Sequence, residues 1–170
     1  MAAADPTAYR ARPMPGLAFT HVEVYLFSRR PAPRLLLLRR SAGRSLPGVW
    51  QPVTGHRRRG ERGLAAARRE VREETGLVPE RWWSLEAPTL LYDARTDRAG
   101  VLPIFVAEVP AGARIALSPE HDASRYCSLR QAATLVLWDA QRAAIGALAS
   151  QILGNPRLAA ALEITARPPR

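Results

Sequence analysis

Glu70, Glu73 and Glu74 stand at positions i, i+3 and i+4 of a stretch that reads RREVREETG. On a helix these positions share one face. Three carboxylates crowded there repel one another and need an outside stabiliser. Arg69 and Arg72 supply part of it, and Arg69 can reach Glu73 one turn on. A divalent cation would supply more. Magnesium prefers hard oxygen ligands and commonly bridges carboxylates to the phosphates of a substrate. Bound there, it would offset phosphate charge and activate an attacking water. Taken alone, the stretch also fits a solvated helix whose charges merely alternate.

The wider spacing separates the two readings. Gly55 is followed by five residues and Glu61, then by seven residues and Arg69-Glu70-Val71. One residue further come Glu73-Glu74, and after one more Gly76-Leu77. The segment resembles the Nudix hydrolase signature, G-x5-E-x7-R-E-U-x-E-E-x-G-U with U a bulky aliphatic, at every specified position. The resemblance implies a Nudix-type α/β/α sandwich, with a mixed β-sheet between helices. It also implies hydrolysis of a diphosphate linkage by water with Mg2+, for which Mn2+ can substitute. Carried over by position, the Gly55 carbonyl, Glu70, Glu73 and Glu74 are implied metal ligands, with Glu74 the most regularly essential. Arg69 is implied to orient the acids, and Glu61 to tie the loop to the helix.

Similarity continues outside this segment. Leu35 to Arg40, Val49 to Gly55 and Glu120-His121-Asp122-Ala123-Ser124-Arg125-Tyr126 resemble a bacterial subgroup that includes dihydroneopterin triphosphate pyrophosphatase and dATP-cleaving relatives. That resemblance implies Glu120 as a further metal ligand and participant in catalysis, and Arg39 and Thr54 near the substrate. A surface acid, a solvated strand end and a buried threonine are the plain alternatives. Two stretches depart from the subgroup. Residues 56–59 carry three consecutive arginines, Arg57 to Arg59, and Tyr92 to Pro103 does not match the pterin enzyme. Pterin specificity therefore does not follow from the resemblance. Trp50, Trp82, Trp83 and Trp138 are read as packing residues before base-stacking ones, and Cys127 as core.

The elements that must position these residues are also legible. Thr20 to Phe27 alternates enough for a strand, Leu35 to Leu38 reads as a buried strand, and Val49 to Thr54 as another. Leu64, Ala67 and Val71 recur at helical spacing within Glu61 to Thr75, and Gly76 is placed to end that helix. Val101 to Val109 reads as a strand with Pro103 at an edge or bulge. Ala113 to Leu117 is expected to add a short strand, and Ser118 to Arg125 a polar loop. Ser128 to Val136, capped by Ser128, and Trp138 to Leu153 are expected to be helical. Gly154-Asn155-Pro156 breaks the chain. The domain is expected over residues 17–153, with an arm at 1–16 and a short helix and tail at 154–170.

A chain of 170 residues suits one domain with a full core. Its net charge is +10, and all 25 basic residues are arginine. Such a surface attracts anions, and guanidinium groups grip phosphate in two-pronged fashion. A small nucleotide is the expected partner. An enzyme acting on RNA 5′ ends is an alternative, but the arginines are not interleaved with aromatics as a single-strand platform requires, so nucleic acid is not the expected ligand. A non-catalytic nucleotide-binding protein is a second alternative, disfavoured because every acid of the signature is present. No apolar run reaches transmembrane length and no signal-like stretch opens the chain; with a single cysteine, a cytoplasmic protein without membrane association is expected. Relatives make a homodimer the assembly to test.

Overall fold

The computed structural model describes residues 19–94 and 97–164. Its centre is a seven-stranded sheet. β1 (His21–Ser28) runs through the middle, parallel to β8 (Ile104–Glu108) on one edge. On its other edge, β4 (Val53–His56) takes the N-terminal half and β2 (Arg34–Arg40) the C-terminal half, both antiparallel. β3 (Trp50–Gln51) and β9 (His121–Cys127) add to β2, and β5 (Arg81–Ser84) to β8. One parallel pair among antiparallel ones makes the sheet mixed. β6 (Thr89–Asp93) and β7 (Arg98–Leu102) form a separate hairpin.

Both faces of the sheet are covered. On one, Val22, Val24, Leu26, Leu36 and Leu38 pack with Ala66, Ala67 and Val71 of α1 (Gly63–Thr75). On the other, Tyr25, Phe27, Leu35 and Leu37 pack with Ala132 of α2 (Leu129–Leu135), and with Ala144 and Ile145 of α3 (Asp139–Ala147). A π-helical segment, Leu148–Leu153, extends α3 and buries Leu148 and Ile152 there. Two-sided cover explains why Leu35 to Leu38 are all buried instead of alternating. The expected α/β sandwich, a mixed sheet between helices, is the observed architecture.

Local chemistry sets the helix ends. Gly76 adopts a left-handed conformation (φ 71°) and its N–H returns to the Arg72 carbonyl at 2.9 Å, closing α1. Ser128 and Gln131 form a reciprocal capping box at the start of α2. Asn155 caps α4 (Pro156–Leu162), whose Ala159 and Leu162 pack on the core.

Four local expectations are corrected. Val101 to Val109 is not one strand: Pro103 separates the end of β7, in the hairpin, from β8, in the main sheet. Val49 to Thr54 is not one strand: Pro52, which lacks an N–H, separates β3 from β4. Ala113 to Leu117 forms no strand, although Ala116 N–H donates to Thr75 O and ties the segment to the end of α1. The polar stretch from Ser118 is a loop only to Glu120; from His121 it is β9, held by six register pairs to β2. Its polarity misled because much of one strand face is solvated. The expected arm at 1–16 and residues 165–170 lie outside the described residues.

Candidate active site

β4 and α1 bring the signature together. Gly55 lies on β4, directly against Glu70 of α1: a Cβ at Gly55 would stand 2.0 Å from the Glu70 carboxyl carbon. Only a hydrogen fits, which is the physical reason for glycine here. The loop between them is gathered by Arg69. Its Nε and Nη2 donate to the two Glu61 oxygens, each at 2.9 Å. Its Nη1 donates to Glu70 at 2.7 Å and to Glu73 at 3.1 Å, and Nη2 also donates to the His56 carbonyl at 2.8 Å. Glu61 also accepts from the Arg58 backbone N–H. The Arg69 hydrogen bonds, chiefly, hold the Glu61 carboxyl down at about 2.

A planar, permanently charged fork serving three acids and a carbonyl is a task lysine cannot reproduce. Arg69→Ala, with its side chain only 12% exposed, should lower Tm by several degrees and depress turnover as well. Thermal melts and steady-state rates check both; an unchanged Tm would remove Arg69 from its role as organiser.

Glu74 differs from its neighbours. It is 4% exposed, and its Oε2 has no hydrogen-bond partner. Burial, followed by the charges of Glu70 and Glu120, pushes its pKa up to about 9. Burial likewise raises the Glu70 pKa against the pull of Arg69. His121 Nδ1 lies 3.8 Å from Glu74 Oε2 and is also without a hydrogen-bond partner. Burial and the Arg40 charge lower the His121 pKa, so this pair is not an ion pair at neutral pH. On its other side, His121 Nε2 lies 3.5 Å from Gln51 Nε2, which donates to Thr54 Oγ1 at 3.1 Å. A polar chain thus runs from Thr54 through Gln51 and His121 toward Glu74.

Glu120 lies in the loop before β9. It acts electrostatically on both Glu70 and Glu74 while pairing with Arg44 at 3.2 Å. Four carboxylates therefore share one region, and three of them are held by arginines: Glu70 and Glu73 by Arg69, Glu73 also by Arg58, and Glu120 by Arg44. So held, they do not converge: among the described residues no three His, Cys, Asp or Glu side chains form a ready metal-binding group. The chemistry of the set still fits a hard divalent cation. Its donors are carboxylate oxygens, and one of them is buried, unpartnered and made costly to ionise by like charge.

The other residues expected at the site divide differently once placed in the fold. Thr54 lines a cavity of about 560 Å³ on the sheet face away from α1, together with Glu23, Gln51, Trp138 and Gln141. Arg39 is occupied: its Nε meets Asp122 at 2.6 Å and its guanidinium lies over Trp50. The adjacent Arg40, which sequence reasoning passed over, is the arginine whose charge acts on Glu74 and His121. Strand alternation could have found it, because Leu36, Leu38 and Arg40 share the α1 face. Glu23 was missed too, since an acid in an apolar strand carries no motif. Trp82 and Trp83 are core, as expected, whereas Trp138 is 56% exposed.

A NUDIX domain model matches residues 18–147. An octanoyltransferase of Myxococcus xanthus is 38% identical over 96 residues, 56% of this chain but 26% of that protein, so the chain spans about a quarter of its length. The asymmetrical bis(5′-nucleosyl)-tetraphosphatase of Mus musculus is 35% identical over 99 residues, covering 56% of this chain and 67% of that one. The structure of the dihydroneopterin triphosphate pyrophosphohydrolase of E. coli superposes with a TM-score of 0.66 at 23% identity, over 79% of this chain and 95% of that one, a likeness of fold.

Proposed function

Because this chain belongs to the Nudix family of hydrolases, we propose that it is a Mg2+-dependent pyrophosphohydrolase. Its substrate is a nucleoside triphosphate or a related nucleoside diphosphate compound. The observation that carries this reading is Glu74: a buried carboxyl with an unpartnered oxygen, ringed by Glu70, Glu73 and Glu120. Glu70, Glu73, Glu74 and Glu120, with the Gly55 carbonyl, would hold the metal. When bound, the cation supplies charge neutralisation on phosphate and lowers the pKa of a water.

The chain's own residues do the rest. Arg69 keeps Glu70 and Glu73 on the site face of α1. His121, itself buried, borders the Glu74 carboxyl. Arg40, Arg44 and Arg58 supply positive charge beside the acids, which suits incoming phosphate oxygens. Arg44 pairs with Glu120 and Arg58 with Glu73, so each arginine would stand beside an acid that would hold the cation.

A panel with Mg2+, spanning nucleoside triphosphates, dinucleoside polyphosphates, ADP-ribose and dihydroneopterin triphosphate, tests the proposal. Release of pyrophosphate or a nucleotide from one class supports it; no turnover of any member overturns it. The likeness to the mouse tetraphosphatase favours dinucleoside polyphosphates as a second substrate class. We take a small nucleotide, not RNA, as the substrate, Mn2+ as an alternative metal, and a homodimer in the cytoplasm as the working state. No helix among the described residues is long and apolar enough to cross a membrane.

Glu120→Ala separates ligand from bystander. Expected are a fall in Mn2+ affinity of about tenfold, read by calorimetry, and a matching loss of rate. Unchanged affinity and rate would leave Glu120 as a partner of Arg44 only.

A further inference from the structure

Glu23 is a buried acid that the proposed chemistry does not use. It sits on β1, is 4% exposed, and lines the 560 Å³ cavity on the face away from α1. Tyr25 OH donates to its Oε1 at 2.5 Å, and Gln141 Nε2 to its Oε2 at 3.1 Å. Gln141 is itself aimed by the start of α3, where its Oε1 accepts from the Trp138 N–H. Both donors are neutral, and among the described residues no cation pairs with Glu23. Burial raises its pKa. A carboxylate desolvated in this way is costly unless further donors reach it, and each of its oxygens retains lone-pair capacity.

Thr54 stands beside it. Glu23 and Thr54 are register partners on adjacent strands and both line the cavity. Thr54 Oγ1 accepts from Gln51 Nε2, so its own hydrogen is left to donate. The cavity wall therefore offers one hydroxyl donor beside two carboxylate acceptors. Trp138, over half exposed at the rim, and Leu90, Leu91 and Leu102 of the β6–β7 hairpin supply flat and apolar surface.

We propose that this cavity binds a planar heterocycle with an acceptor–donor–donor edge, the 2-amino-4-oxopyrimidine edge shared by guanine and the pterins, and that Glu23 and Thr54 read it. Thr54 donates to the ring carbonyl oxygen. Glu23 accepts from the ring N–H and the 2-amino group. Trp138 stacks on the ring. Adenine and cytosine present a donor where Thr54 donates and an acceptor where Glu23 accepts, so both are mismatched. Hypoxanthine keeps the carbonyl and ring N–H but lacks the amino group. Thr54 is followed on β4 by Gly55, so the cavity and the acids of α1 are served by adjacent residues. The inference rests on the pyrophosphohydrolase reading for its turnover assay, and on binding alone for its second arm.

The turnover arm compares kcat/KM for GTP, ITP and ATP with Mg2+. Guanine should exceed hypoxanthine by about tenfold and adenine by about a hundredfold, as expected when an unmatched polar group is left in the site. Glu23→Gln, which replaces one acceptor oxygen by a donor, should lower kcat/KM for GTP more than for ITP and so erase the GTP-over-ITP preference. Dihydroneopterin triphosphate, run beside GTP, distinguishes the two sources of the edge; faster turnover than ATP by either supports the proposal. The binding arm titrates metal-free wild-type protein in EDTA with guanosine, inosine and adenosine, following tryptophan fluorescence. It needs neither catalysis nor a folded variant. Guanosine binding tightest, with inosine weaker and adenosine weakest, supports the proposal. Equal binding of the three nucleosides, or neither GTP nor dihydroneopterin triphosphate exceeding ATP in kcat/KM, overturns it. No turnover of any triphosphate alongside guanosine-selective binding would strike the hydrolase reading and leave this one standing.

Discussion

Glu74→Gln should abolish nearly all turnover while making the metal-free protein more stable. The two effects have one cause. Glu74 is buried, its Oε2 is unpartnered, and Glu70 and Glu120 repel its ionised form. Loss of the charge removes the oxygen best placed to be neutralised by a cation, and a fall in kcat of about a thousandfold is the scale expected for losing one such electrostatic group. The same substitution removes the cost of burying an acid that prefers to keep its proton.

The sign can be followed in pH. The Glu74 pKa is raised, to about 9 in the fold from an ordinary value of 4.5. Its contribution to stability is therefore fully present below about pH 4.5, and is lost progressively as pH rises toward 9. Metal-free wild type should lose more Tm than Glu74→Gln between about pH 5 and about pH 8, roughly the middle of that window. Parallel Tm profiles for the two proteins would contradict the assignment. Because a metal-bound carboxylate is ionised, cation binding at about pH 7 should release about one proton from wild type and none from the variant, measurable by calorimetry in buffers of different ionisation enthalpy.

Gly55→Ala should produce the second largest effect. The new methyl would stand 2.0 Å from the Glu70 carboxyl carbon and 2.2 Å from its Oε1, so one of them must move. The obstructing atoms are the end of a flexible side chain, and Glu70 can rotate away at modest cost to the fold. It then loses its 2.7 Å bond from Arg69 and its place among the acids. Turnover should fall by about a hundredfold or more while Tm changes by only a few degrees, because a misplacement of about 1 Å can cost that much in rate. Mn2+ affinity should fall in parallel. A near-normal rate in the Gly55→Ala variant would mean that Glu70 does not act from its observed position.

How far these residues could be read without coordinates depended on how local their signals were. α1 was legible because its apolar spacing, its terminal glycine and its charges all lie close together in the chain. The fit of Gly55 to Glu70 was legible only through the signature spacing, because nothing in Gly55 itself announces a neighbour from the helix that follows. β9 was not legible. Its sequence, HDASRYC, pairs with β2 far earlier in the chain, and only that pairing makes it a strand. Glu23 was hidden for a related reason: its meaning comes from Tyr25, Gln141 and Thr54, which meet only across the folded sheet and α3. Arg39 and Arg40 show how finely the outcome depends on register. They are adjacent in the chain, yet strand alternation sends Arg40 toward Glu74 and leaves Arg39 with Asp122 and Trp50.

The task assigned to this carboxylate cluster is to direct water onto a phosphorus of a diphosphate linkage. Hydrolysis of the best substrate of the panel in 18O-labelled water with Mg2+, followed by 31P NMR for wild type and Glu74→Gln, tests it most directly. The expected result is one 18O per turnover on a single product phosphorus with wild type, and almost no labelled product with the variant. Label on neither product phosphorus, or labelling by Glu74→Gln at the wild-type rate, would contradict it.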